Sequence, residues 1–109
     1  MPYDAAIDTR IKKVIAQWKN TSHKKMFGGV CHLLHGNMFC GVYQEYLILR
    51  LGEDAAADAL DQAHVRVFDI TGKPMRGWVM VDKNGFKSDD DLKNWLDKAK
   101  MFVKTLPPK

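Results

Sequence analysis

Three apolar runs separated by only two residues each constrain the fold of this chain most. The runs span residues 30–35, 38–43 and 46–51. The separating pairs are Gly36-Asn37 and Gln44-Glu45. Connections this short join antiparallel neighbours, because a parallel pair needs a crossover of a dozen or more residues. The pattern therefore predicts a three-stranded antiparallel meander in which His35 faces Met38 and Tyr43 faces Tyr46.

Alternation along these strands divides their side chains between two faces. The face predicted to be the core carries Cys31, Leu33, Cys40, Val42, Leu47, Leu49 and Leu51. The other face carries Val30, His32, Leu34, Phe39, Gly41, Tyr43, Tyr46, Ile48 and Arg50. This second face is too apolar to be left wholly to water, so we expect it to bind a partner. The candidate partner residues are Leu34, Phe39, Tyr43, Tyr46 and Ile48.

The rest of the chain predicts three helices and two further strands, from helical spacing of apolar residues, alanine content and β-rich runs. The predicted helices span 4–19 with Asp4 as N-cap, 54–63, and a third segment that begins at Ser88 and stops at Pro107-Pro108. The predicted strands span 65–70 and 77–81, and residues 20–22 are expected to form a loop. The element order is α-βββ-α-ββ-α.

Size and composition fit one globular domain: the chain has 109 residues, of which 46% are apolar and 28% charged. The net charge of +4 is mild and permits an acidic partner. No apolar run approaches the ~20 residues of a membrane span, and the first ten residues lack a signal-peptide core. Because Cys31 and Cys40 fit free thiols, we expect a cytoplasmic protein without a membrane partner.

The sequence offers little for metal or nucleophile chemistry. Cys31 and His35 lie ~13 Å apart in an extended strand, whereas zinc ligands must converge on one ion. Cys31 and Cys40 are expected to be diagonal neighbours ~7–8 Å apart, so reduced thiols are favoured over a disulfide. No nucleophile stands beside a base that a third group could hold. We therefore expect no metal, no cofactor and no enzymatic activity.

Two segments, 25–30 and 69–79, mix glycines with large apolar and basic side chains. Glycine allows close backbone approach, and the neighbouring Met, Phe and Trp offer adaptable contact area, which favours recognition over bond-breaking. The candidate binding residues are Lys25, Phe27, Gly28, Gly29, Arg50, Lys73, Met75, Arg76, Gly77 and Trp78. Two interpretations of the basic residues are open. Lys24, Lys25, Arg50, Arg66, Lys73 and Arg76 form one basic patch, or they are separate cations scattered around the sheet in solvent.

Several ordered motifs resemble the N-terminal domain of TfoX (Sxy) proteins. They are KMFGGV at 25–30, GNMFCGV at 36–42, LILRLG at 47–52, DITGKPMRGWV at 69–79, WL at 95–96 and LPPK at 106–109. The resemblance covers nearly the whole chain. It implies a two-layer α+β fold, a five-stranded antiparallel sheet packed by helices, similar in outline to the type III secretion chaperones.

The resemblance also implies a function. TfoX proteins are bacterial regulators of natural competence that act with a transcription activator, and the family offers no catalytic residues to carry over. They have a second, helical domain, and residues 1–109 resemble the N-terminal domain as a stand-alone member. We therefore expect a non-enzymatic regulatory or protein-interaction module, with a two-fold homodimer as the economical partner. The alternatives are a nucleic-acid-binding accessory domain, and a small ligand-binding protein or enzyme with a pocket near Phe27, Gly28, Met75 and Trp78.

Overall fold

The computed structural model describes residues 3–26, 28–69, 72–73 and 75–108. Within these residues the chain forms three α-helices, six β-strands and one 3-10 turn. In chain order they are α1 (Ala5–Ile15), β1 (Thr21–Met26), β2 (Gly29–Leu34), β3 (Asn37–Tyr43), β4 (Tyr46–Arg50), α2 (Glu53–Ala59), β5 (Val65–Val67), β6 (Trp78–Val81), the 3-10 turn (Lys83–Gly85) and α3 (Asp89–Val103).

The strands form one antiparallel sheet in the order β1-β2-β3-β4-β6-β5. The α+β class and the helix-packed antiparallel sheet predicted from the sequence are confirmed, with six strands in place of five. The additional strand is β1, whose first residues were expected to form a loop. Its residues from Ser22 to Lys25 are exposed and polar, as is common on an edge strand, where lysines discourage pairing with other chains.

The register of the meander differs from the prediction at one of its two turns. Tyr43 pairs with Tyr46 as expected. The expected pairing of His35 with Met38 is wrong, because Leu34 pairs with Asn37 around a His35-Gly36 turn. Both turn residues have positive φ, 52° and 82°, as a type I′ hairpin turn requires.

An extra residue in β3, Phe39 between Met38 and Cys40, reverses the two faces of β2. A one-residue slip in a strand moves every side chain to the opposite face, and an irregularity in the β2–β3 pairing lies between His32 and Leu33. As a result Val30 and Leu34 point into the main core, whereas Cys31 and Leu33 point to the other side of the sheet. The prediction of Cys31 and Leu33 as core-face neighbours of Cys40 is therefore wrong.

All three helices pack on the same side of the sheet and bury the main core between them. Phe39 is fully buried there, and its ring lies 5.5 Å from that of Trp18. Leu34 is also in this core and is 4% exposed. The assignment of Leu34 and Phe39 to a partner-binding face is therefore wrong, because both stabilise the monomer.

The helix N-caps agree with the sequence, whereas the helix ends do not. The Asp4 carboxylate accepts a hydrogen bond from the Ala6 amide at 2.9 Å, and the Ser88 hydroxyl accepts one from Asp91 at 3.0 Å. The first two helices stop short of their predicted ends, at residues 15 and 59. In the part of the chain that the structure describes, no helix combines the length and the apolar character that crossing a bilayer would require.

Candidate functional site: the open face of the sheet

The side of the sheet that faces away from the helices is here called the open face. Strand alternation and register place thirteen described strand residues on it. They are Ser22, Lys24, Cys31, Leu33, Met38, Gly41, Tyr43, Tyr46, Ile48, Arg50, Arg66, Trp78 and Met80. Two loop residues, Phe68 and Met75, pack against them. Six of the sequence-predicted site residues thus lie on this side of the sheet: Arg50, Met75, Trp78, Tyr43, Tyr46 and Ile48.

The open face has a small apolar core of its own. Ile48, Phe68 and Met80 are buried although no helix among the described residues covers them. Around them lie half-buried residues whose outer parts reach solvent, namely Met38, Tyr43, Tyr46, Met75 and Trp78. Ile48, predicted as a contact residue, is fully buried, so it supports the surface and does not form its outside.

Phe68 and Met75, which follow β5 and precede β6, cover one margin of this face. The Met75 amide donates a hydrogen bond to the Phe68 carbonyl at 3.0 Å, which brings the two ends of the loop together. The Phe68 and Trp78 rings then lie 5.6 Å apart, within the usual range for an aromatic pair. The open face is therefore partly roofed by the chain itself at this margin, and its exposed part lies over β3, β4 and β6.

Two arginines of the open face rest on aromatic rings. The Arg66 guanidinium lies 5.5 Å from the centre of the Tyr46 ring. The Arg50 guanidinium lies 5.4 Å from the Trp78 ring and 5.7 Å from the Phe102 ring of α3, so it is at the end of β4, where the open face meets the helix layer. These are cation–π distances, and stacking of this kind fixes the plane of a guanidinium while leaving its N–H groups free to donate.

These two arginines have no anionic partner among the described residues. Arg10 is the contrast: it also lies over a ring, that of Phe86, but donates to the Phe86 carbonyl at 2.8 Å and pairs with Asp89. No Asp or Glu occurs among the thirteen strand residues of the open face, whereas Lys24, Arg50 and Arg66 do. The face is therefore basic as well as aromatic.

The second glycine motif has a structural role next to this face. The Gly77 carbonyl accepts hydrogen bonds from the amides of Leu51 and Gly52, at 2.8 and 3.1 Å. Gly77 has φ +85°, and a Cβ there would lie 3.3 Å from the Gly52 carbonyl carbon. A glycine is required at this position because the chain leaving β4 passes directly beside the start of β6.

A hollow of about 310 Å³ lies between this motif and α2. Its lining includes Met75, Arg76, Gly77 and Trp78 from the motif, together with Leu60 and Val67, which are exposed apolar residues. Arg76 is exposed and lies 4.0 Å from the Glu53 carboxylate. Lys73 is exposed in the preceding loop. A larger hollow of about 560 Å³ between α2 and α3 contains none of the predicted site residues.

The first glycine motif is at the opposite corner of the sheet. Lys25 is exposed on β1, Gly28 turns with φ 78°, and a Cβ on Gly29 would overlap the carbonyl oxygen of Val42. Four strand spacings, about 19 Å, separate β1 from β6. The predicted pocket joining Gly28 to Met75 and Trp78 is therefore wrong. Phe27 lies outside the described residues.

A buried pair between α1 and β2 was not found from the sequence. His32 Nε2 lies 2.6 Å from Asp8 Oδ1, and Lys12 binds the other carboxylate oxygen at 3.2 Å. Burial lowers the pKa of His32 against the opposing effect of Asp8. Burial alone would raise the pKa of Asp8, but hydrogen bonds from His32 and Lys12 outweigh it and lower that pKa. The pair therefore consists of a neutral His32 donating to an ionised Asp8.

This pair joins a helix to the sheet, and His32 lines a cleft together with His23 and Lys12. In the sequence, Asp8 and His32 are 24 residues apart, and Asp8 reads as an exposed helix residue. One feature of the sequence could have indicated that Asp8 is buried: it directly follows Ile7, which belongs to the buried apolar stripe of α1. Among the described residues, no group of three or more potential ligands is arranged to hold a metal ion.

The two cysteines are free and buried. They point to opposite faces of the sheet, because Cys31 pairs with Gly41 and Cys40 with His32, so the expectation that they are neighbours on one face is wrong. Burial raises the pKa of the Cys31 thiol to about 11 and that of Cys40 well above its usual range. Both thiols stay protonated at neutral pH and are poor nucleophiles.

The architecture defines a class: a small two-layer α+β domain whose sheet is covered by helices on one side and exposes an aromatic, basic surface on the other. Comparison with known families assigns it more closely. The family model of the TfoX N-terminal domain matches residues 13–102, and the chain belongs to this family. No curated protein matches the chain.

Proposed function

We propose that this chain is a non-enzymatic regulatory module that binds a protein partner on its open face. Membership of the TfoX N-terminal domain family supports the regulatory class. The observation that carries the binding proposal is the uncovered apolar cluster of the open face, with Met38, Tyr43, Tyr46 and Trp78 half-exposed around it. Aromatic residues, Met and Arg are the residue types enriched in the centres of protein interfaces.

The buried free thiols of Cys31 and Cys40 fit a reducing compartment, so we place the module in the cytoplasm. A homodimer through the open face is less favoured than a different partner. A two-fold axis there would bring Lys24, Arg50 and Arg66 of both copies into one interface, and like charges across an interface are repulsive.

Capture of partners from the native cell, compared between matched variants, tests the proposal. Tyr43→Ala and Trp78→Ala each remove a half-exposed ring from the open face, and Met101→Ala removes an exposed apolar side chain from α3. We expect a partner that binds the parent chain and Met101→Ala but is lost with Tyr43→Ala and Trp78→Ala. Circular dichroism establishes that each variant is folded. A partner retained by both open-face variants would contradict the proposal.

A second candidate function is nucleic-acid binding, favoured by one observation: the strand residues of the open face include three cations and no carboxylate. If this is the function, the affinity for DNA or RNA falls steeply with salt, because each phosphate contact releases a counterion. A binding titration at three salt concentrations measures that slope. Absence of binding at low salt rejects this candidate.

A further inference from the structure

Arg50 and Arg66 mark two separate points on the open face where an anion would be bound. Their guanidinium groups lie over Trp78 and Tyr46 respectively. Trp78 is level with Arg50 in the register of β4 and β6, and Tyr46 begins β4 four residues earlier. Four residues along a strand span about 13 Å. Arg66 starts on β5, level with Ile48, and its guanidinium rests on Tyr46, so the two rings that carry the cations are at opposite ends of the strip of surface above β4.

The surface between the two arginines is apolar. Ile48 and Met80 form its floor, and Met38 extends over Gly41, where an added Cβ would lie 3.1 Å from the Met38 methyl carbon. Methionine adapts its shape to different apolar partners because its side chain is unbranched and polarisable. The strip thus has a cation at each end and a deformable apolar surface in the middle.

The Tyr46 and Trp78 rings already contact arginines, which favours a carboxylate ligand over a nucleic-acid base. Binding of single-stranded nucleic acid relies on bases stacked on aromatic rings. A face of the Tyr46 ring is already occupied by Arg66, and Trp78 is in contact with Arg50 and Phe68. A guanidinium held by a ring presents its N–H edge outward, in the fork geometry that binds a carboxylate with two hydrogen bonds.

We propose that the open face binds an acidic peptide segment of a partner protein, in which two carboxylates about 13 Å apart reach Arg50 and Arg66 and an apolar side chain between them packs on Met38. In an extended peptide, side chains at positions i, i+2 and i+4 point the same way. The matching pattern is an acid, any residue, an apolar residue, any residue and a second acid. This inference rests on the proposed function and names the chemistry of its partner.

A synthetic peptide containing Glu-Thr-Leu-Thr-Glu, acetylated and amidated at its ends, is the direct probe. Binding to the full chain is followed by nuclear magnetic resonance at low ionic strength, through the Nε–Hε signals of the arginine side chains. We expect the signals of Arg50 and Arg66 to shift and those of Arg10 and Arg76 to stay in place. A peptide with Gln for both Glu residues should bind ~10-fold or more weakly, because charge-assisted hydrogen bonds are lost.

Protein variants separate pairing geometry from charge. Arg50→Lys and Arg66→Lys keep the charge but lose the planar fork, so each should weaken peptide binding ~10-fold, whereas the matched Arg76→Lys should leave it unchanged. Lysine variants that bind as tightly as the parent would overturn the inference, as would shifts at Arg10 or Arg76 in place of Arg50 and Arg66.

Other outcomes distinguish this inference from the function on which it rests. If the peptide does not bind but partner capture still requires Tyr43 and Trp78, the inference is wrong and the proposed function stands. If capture is independent of both residues, the proposed function is wrong. Binding of an oligonucleotide that shifts Arg50 and Arg66, without binding of the peptide, would overturn the inference in favour of nucleic acid. Self-association lost with Arg66→Lys would replace the acidic peptide by a second copy of the chain.

Discussion

The helix side and the open face of the sheet bury their apolar side chains in different ways. On the helix side, aliphatic residues and Phe39 are sealed by α1, α2 and α3, and the nearby Arg10 is bound by backbone carbonyls and Asp89. On the open face, a smaller cluster is shielded by its own long side chains and by Phe68 and Met75, and Arg66 rests on a ring with no anionic partner in the part of the chain that the structure describes. Stability is therefore concentrated on the helix side of the sheet, and the groups available for binding are on the open face.

The largest expected difference is in core stability. Phe39→Ala removes a fully buried ring from the helix-side core and should lower the free energy of unfolding by about 3–5 kcal/mol. Tyr43→Ala, on the open face, removes a ring that is already partly in water and should cost clearly less. Urea denaturation of both variants gives the two values. Equal losses would mean that the open face contributes to stability as much as the helix side, which contradicts the comparison.

The close approach at Gly29 provides the next test. Gly29→Ala places a methyl group against the Val42 carbonyl, and backbone cannot yield as a flexible side chain does. We expect a loss of about 1–3 kcal/mol, the range for overpacking. Lys25→Ala, an exposed position on the neighbouring strand, is the matched control and should change stability by less than about 0.5 kcal/mol. If Gly29→Ala leaves the free energy of unfolding unchanged, close packing does not explain the glycine at this position.

The buried pair on the helix side predicts acid sensitivity. The folded pKa of His32 lies below the unfolded value of 6.5, so the unfolded chain binds the proton more readily as pH falls. The stability from neutral His32 is thus present above pH 6.5 and lost as pH falls through the folded pKa, by at most about 1.4 kcal/mol per pH unit. The lowered pKa of Asp8 adds a further loss below pH 3.8.

Urea titrations at several pH values between 7.5 and 5 measure this slope. The charged and titratable groups around His32 are Asp8 and Lys12 on α1, His23 on β1 and Cys40 on β3. His32→Gln should flatten the slope, and His23→Gln should retain it. If the pH dependence of stability disappears in His23→Gln and persists in His32→Gln, it comes from His23, and this explanation is wrong.

The smallest expected effect compares two ring-stacked arginines. Arg66→Gln removes an exposed cation–π contact and should cost at most about 1 kcal/mol. Arg10→Gln also breaks hydrogen bonds that join α1 to the start of α3, and hydrogen bonds from charged groups contribute about 1.5–3 kcal/mol. Thermal melting of the two variants ranks them. A larger loss for Arg66→Gln would show that Arg66 is a structural residue.

The sequence predicted local features well and the contacts across the sheet poorly. The N-caps at Asp4 and Ser88 and the Tyr43–Tyr46 pair depend on neighbouring residues, and all three were found. The turn at His35-Gly36 was missed because it places a non-glycine residue at positive φ. The extra residue in β3, Phe39 between Met38 and Cys40, was also missed, and that one-residue shift moved Leu34 to the wrong face, as the period of two in a strand dictates.

The site was predictable as a set of residues but not as an arrangement. Arg50, Met75 and Trp78 were named from the sequence, and Tyr43 and Tyr46 were assigned to the face where they lie. What brings them together is β6, which pairs with β4 and leaves β5 at the edge. No local pattern specifies that strand order, since it depends on how α2 crosses the sheet. For the same reason the two glycine motifs, alike in composition, lie at opposite corners.

Methionine oxidation, measured with and without the captured partner, shows whether the partner covers the open face. Met38 and Met75 are half-buried at the open face, whereas Met101 on α3 is 73% exposed. If the open face binds the partner, complex formation protects Met38 and Met75 from oxidation and leaves the rate at Met101 unchanged. Protection of Met101, with Met38 and Met75 oxidised as fast as in the free chain, would place the binding surface on α3 and not on the open face.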